Sequence, residues 1–198
     1  MAKLTRRQKR WILRGCLFAL TFGVTALIRV KTGITYPLGN GRVNAGVYAT
    51  LGDVCVFVNV LLLGGPWGAG ISAASMALAD LAVGSKLYII GTLLIKTGMA
   101  FFIAAFCTRC DGWGRSFAVS GVAEAIMVAG YFLYNLVIVR EFVVAGQALL
   151  IDLAQGAVCA VAGGLILHYL PPVNPEKLPV VKRRARARYD GDDFDYER

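Results

Sequence analysis

Histidine is almost missing from this chain: His168 is the only one in 198 residues. No G-x-S-x-G, H-E-x-x-H or Walker sequence is present, and there is no histidine cluster. Histidine-driven hydrolysis, metal-assisted hydrolysis and ATP binding each need one of those arrangements, so the sequence offers no catalytic or nucleotide-binding machinery. Metal ligands are equally sparse. Cys107 and Cys110 form one C-x-x-C with no second pair to complete a four-ligand zinc site. Cys16, Cys55 and Cys159 lie in apolar runs, where they read as small packing side chains. Charge is the third scarcity. Only 17% of residues are charged, against 57% hydrophobic, and the mean hydropathy is +0.62. That balance excludes an ordinary soluble domain and indicates a chain that passes repeatedly through a bilayer.

What is present is a succession of long apolar runs. A hydrocarbon core needs roughly 20 residues per helix, and six such spans fit within residues 11–170. They are expected at 15–30, 47–63, 68–83, 87–106, 117–139 and 145–170. The implied fold is an all-α integral membrane bundle of six transmembrane helices. Residues 1–10 form a basic N-terminus, 11–170 the membrane domain, and 171–198 a charged tail too poor in apolar residues to pack. The longest connection, 31–49, carries Pro37, several glycines and the turn signal Asn40-Gly41.

The net charge of +9 does not imply nucleic acid, because no basic face with aromatic platforms accompanies it. Its basic residues gather before the first span, around Arg109 and Arg115, and in the tail from Lys177. The opposite side would hold only Arg29, Lys31, Arg42, Lys86 and Arg140. The positive-inside rule then puts both termini in the cytoplasm.

That orientation converts sequence position into depth. Asp53, Asp80, Tyr131, Tyr134, Asn135, Asp152 and Gln155 all fall in the outer half of their spans, and Lys96 lies near mid-depth. Buried polar groups are costly unless paired, so polar groups from several spans converging at one depth point to a shared site. The candidate substrate contacts are Asp53, Tyr88, Lys96, Tyr131, Asn135, Asp152 and Gln155. Asp80 with Lys96 reads either as an ion pair locking two helices or as a ligand contact. Asp53 reads either as a ligand contact or as a solvated or capping carboxylate. Glu124, in the inner half of its span, suits a structural or coupling role, and His168 a membrane-interface position. Small residues recur every fourth position at Gly15, Ala19 and Gly23, and again at Ala69, Ala73 and Ala77, a pattern that lets helices approach closely.

The chain resembles the substrate-binding S components of energy-coupling factor (ECF) vitamin transporters, in the riboflavin-type branch. The resemblance is carried by Leu51-Gly52-Asp53, by LLLGGPWGAGISAASMALADLAVG followed by IIGTLLIKTG, by AEAIMVAGYFLYN and by IDLAQG. It implies six helices with both termini inside, in the cell membrane of a prokaryote. It also implies a vitamin-sized solute (riboflavin, hydroxymethylpyrimidine or vitamin B6 class) captured from outside, without a cofactor. A transmembrane coupling subunit and two cytoplasmic ATPase subunits would be partners. The small-residue stripe Gly15, Ala19, Gly23 would face the coupling subunit, and the outer loop 36–44 would close over the pocket, bringing in Asn44. Asn44 lies further before Gly52-Asp53 than the family pattern places its asparagine. The competing reading is a stand-alone proton- or ion-coupled carrier using Asp53, Asp80 and Lys96.

Overall fold

The computed structural model describes residues 5–38, 41–44, 46–107, 112–138, 140 and 142–170. The tail 171–198, Asn40 and Cys110 lie outside the described residues. The described residues form six α-helices in order: α1 Arg6–Leu27, α2 Gly52–Leu63, α3 Gly65–Val83, α4 Ile89–Phe106, α5 Trp113–Ile138 and α6 Phe142–Tyr169. Among the described residues, four segments are long and apolar enough to cross a membrane: α1, α4 with the turn before it, α5 and α6.

The first helix begins at Arg6 rather than near Gly15, because the basic segment is helix-compatible and well capped. The Gln8 N–H donates to Thr5 Oγ1 at 3.3 Å and the Thr5 N–H donates to Gln8 Oε1 at 2.9 Å, a reciprocal capping box. Leu17, Thr21 and Thr25 recur every fourth residue and form the buried face of α1. The two threonine hydroxyls donate to the carbonyls of Leu17 and Thr21, each at 2.8 Å, which lets them enter an apolar interior satisfied. Gly15 and Ala19 are exposed, away from that face.

The connection 31–49 is not a plain loop. Strand β1 (Arg29–Lys31) pairs antiparallel with β4 (Tyr48–Thr50), with Val30 opposite Ala49. Between them β2 (Thr35–Leu38) pairs antiparallel with β3 (Gly41–Asn44). Pairing by β4 delays the start of the second helix, expected at 47, to Gly52. At 12 residues, α2 is about 18 Å long, shorter than a hydrocarbon core. Gly46 joins the two strand pairs with φ 74°, and a side chain there would stand 3.1 Å from Ser85 Oγ. Ser85 Oγ in turn donates to the Gly46 carbonyl at 2.7 Å, pinning this segment to the α3–α4 connection.

Packing density explains the glycine and alanine content. At Gly68 a Cβ would meet the Val60 Cα at 2.7 Å and the Val60 nitrogen at 2.9 Å, so α2 and α3 are in backbone contact there. Ala69, Ala73 and Ala77 are all buried, as their stripe predicts. Val56, Phe57, Val60, Met99, Ile103 and Met127 form the central core between α2, α4 and α5. The most extensive helix pair is α5 against α6. Polar groups in the core are tied together locally: Asn59 Nδ2 donates to Thr21 Oγ1 at 3.0 Å and to Ser72 Oγ at 2.9 Å, linking α1, α2 and α3.

Candidate substrate-binding site

At the end of the bundle that carries the strands, the helices part around a narrow cleft that is partly open to solvent. Its wall combines β4 and the residues before it (Gly46, Val47, Tyr48, Thr50) with Met76 and Asp80 of α3, and Tyr88 from the turn before α4. Thr92 and Lys96 of α4, Tyr131 and Asn135 of α5, and Asp152 and Gln155 of α6 complete it. The spacing of these residues follows from helix geometry: positions three or four apart fall on one face, so each helix presents one pair to the same space.

Six of the candidate substrate contacts line the cavity, Tyr88, Lys96, Tyr131, Asn135, Asp152 and Gln155, and so does Asp80. Asp53 does not. It is fully buried behind the wall, in the first turn of α2, and is neither solvated nor a side-chain cap. Its carboxylate takes Lys96 Nζ on one oxygen and Gln155 Nε2 on the other at 2.7 Å. Lys96 therefore pairs with Asp53, not with Asp80 as its position suggested. Lys96 and Asp53 are 1% and 0% exposed, so this is an ion pair removed from water. Gln155 extends the chain by accepting the Thr50 N–H at 2.7 Å, tying α6 to β4.

Asp80 is held by hydroxyls instead. Tyr48 donates to one oxygen at 2.5 Å and Thr92 to the other at 2.5 Å, while Thr92 Oγ1 is 2.9 Å from the Tyr131 hydroxyl. Burial, together with the Asp80 carboxylate, pushes the Tyr48 phenol well above its ordinary range, so Tyr48 remains a donor at any physiological pH. On the far side the Tyr88 hydroxyl donates to Asn135 Oδ1 at 2.6 Å. The Tyr88 and Tyr131 rings lie 6.2 Å apart, centroid to centroid, and Lys96 Nζ sits 5.2 Å from the Tyr131 ring centre.

Asn44 is not part of this cavity. It is exposed, its Oδ1 accepts the Gly46 N–H at 2.8 Å, and it lines a second cavity of about 650 Å³ with Arg29, Lys31 and Ser85. Gly46, Val47 and Tyr48 line both spaces and so form the partition between them. Sequence reasoning did not select Gly46, Val47, Tyr48, Thr50, Met76 or Thr92 as site residues. Tyr48 and Thr50 carried a usable signal, an alternating strand pattern just before Gly52-Asp53; Met76 and Thr92 carried none. Deeper still, Glu124 is 2% exposed and neither carboxylate oxygen has a hydrogen-bond partner among the described residues. Glu124, Asp53 and Cys159 each bring one ligand-capable atom within 4.8 Å of the others, beside the Lys96 ammonium that already neutralises Asp53.

Long apolar helices around a buried, aromatic and ionisable cavity are the features of a multi-pass membrane protein. A family model for the S component of the ECF-type riboflavin transporter matches residues 7–171, and the chain belongs to that family. It is thus a substrate-specific vitamin-transporter subunit, not an enzyme. Comparison with curated proteins gives no match.

Proposed function

We propose that the chain is the substrate-specific subunit of an ATP-driven ECF-type vitamin importer in a prokaryotic plasma membrane. It captures a vitamin or vitamin precursor of the riboflavin, hydroxymethylpyrimidine or B6 class from outside. The observation that carries this reading is the cavity lined by Tyr88, Lys96, Tyr131, Asn135, Asp152 and Gln155 in a member of that family. In this reading the chain crosses the membrane six times with both termini cytoplasmic. Residues 1–10 and 171–198 flank the membrane domain, and the short α2 is completed on the outer side by the strand pairs.

ATP hydrolysis belongs to two cytoplasmic partner subunits, reached through a transmembrane coupling subunit. Gly15, Ala19 and Gly23 face that coupling subunit. Support comes from the space around them: at Gly15 and at Gly23 a Cβ would meet nothing within 4 Å, so their small size serves no packing inside this chain. The segment 46–48 is the inner leaf of a closing lid, and Asn44 holds its turn rather than the solute. Asp53 acts through Lys96 and Gln155, fixing both against the solute.

The test is to purify the chain from its membrane, identify any retained small molecule by mass spectrometry, and measure thermal shifts against a vitamin panel. A stabilising vitamin and co-purifying ATPases are expected. If nothing binds and no ATPase accompanies it, the proposal fails.

A further inference from the structure

The cavity wall has an uneven stock of unspent hydrogen-bonding groups. Lys96 is neutralised by Asp53, both Asp80 oxygens are occupied by hydroxyls, and Gln155 is used at both ends. Asp152 is different. It lines the cavity at 7% exposure, and among the described residues its carboxylate has neither a hydrogen bond nor an ion-pair partner. The other unspent group is Asn135: its oxygen accepts from Tyr88, while its Nδ2 has no acceptor among the described residues. The charge balance leans the same way. Among the described residues the wall carries the acidic side chains Asp80 and Asp152, and its one basic side chain, Lys96, is paired with Asp53.

A carboxylate that faces the cavity with no hydrogen bond from the described residues is matched most strongly by a ligand that supplies a charge-assisted N–H. From this we infer that the substrate is a flat heteroaromatic bearing a protonated or exocyclic amino group. That group donates to Asp152, and an acceptor on the same ring takes Asn135 Nδ2. The tyrosine faces of Tyr88 and Tyr131 cover the ring. A neutral hydroxyl at the same place would leave the carboxylate with a weaker, uncharged donor. An anionic substituent there would meet like charge. This inference rests on the cavity's being the substrate site, and it narrows the vitamin classes to amino-bearing ones.

Matched pairs of probes test it on the full-length protein in detergent, first unmodified and then with one substitution. Pyridoxamine is compared with pyridoxine, which differ by amine for hydroxyl, and the aminopyrimidine precursor of thiamine with its oxo analogue; riboflavin is the neutral control. Isothermal titration should give at least about tenfold tighter binding for one amino member over its partner, the size of a charge-assisted hydrogen bond lost. Asp152→Asn should erase that preference while the unliganded melting temperature shows the fold intact. Binding of riboflavin or pyridoxine as tight as that of any amino compound, unaffected by Asp152→Asn, would overturn the inference yet leave the transport reading standing. Binding of no probe, with no retained molecule in the purified protein, would sink the transport reading itself.

Discussion

Replacing Lys96 with methionine keeps the volume and the apolar stem of the side chain but removes the ammonium. The Asp53 carboxylate, fully buried, would then keep only Gln155 as a partner among the described residues. Removing one member of a buried pair strands the other charge, and such losses run to about 3–5 kcal/mol. Asp53→Asn should cost a comparable amount, because it strands the ammonium at 1% exposure. Removing both strands nothing. The double variant should therefore be less damaged than the sum of the singles by roughly 2 kcal/mol or more, within the coupling range of contacting residues. Asp80 provides the control: its oxygens are taken by Tyr48 and Thr92, so pairing Lys96→Met with Asp80→Asn should show a distinctly smaller coupling. Reversible denaturant titration in micelles gives these free energies. Equal coupling to Asp53 and Asp80, or stronger coupling to Asp80, would refute the ion-pair assignment and with it the position of Asp53 behind the wall.

Three other outcomes follow from packing and burial. Gly68→Ala should destabilise by about 1–3 kcal/mol, since the clash is with backbone atoms of Val60 that no rotamer change can move; an unchanged melting temperature would contradict the α2–α3 contact. Gly23→Leu should leave folding and solute binding intact, because the space at that position is open, while abolishing co-purification with the coupling subunit. Loss of solute binding in that variant would mean the stripe packs internally instead. Glu124→Gln should be neutral or stabilising, since it removes a buried carboxylate with no partner among the described residues; a loss beyond about 2 kcal/mol would show that the charge is structurally required.

Much of the fold was legible because a bilayer allows few solutions. Apolar runs of span length must be helices, and the stripe of Ala69, Ala73 and Ala77 had to be a packing face. The convergence of Tyr131, Asn135, Asp152 and Gln155 followed from their similar depth, which needs only the rise per residue of a helix. Less legible was anything that depends on rotation of one helix about its axis against another. Lys96 is nearer in sequence to Asp80 than to Asp53, and depth alone allowed either partner.

By itself, then, the sequence determined a membrane bundle, the small-residue faces and the set of polar side chains that must meet. Those properties are local: they depend on hydrophobicity, helical rise and side-chain size. Only the tertiary structure decided that Lys96 is paired with Asp53, that Tyr48 and Thr92 hold Asp80, and that Asp152 has no hydrogen bond or ion pair among the described residues. Tertiary contact also turned 48–50 into a strand against 29–31, shortening α2. Which donor reaches which acceptor is settled by distances of a few ångströms between segments far apart in the chain, and no local pattern encodes them.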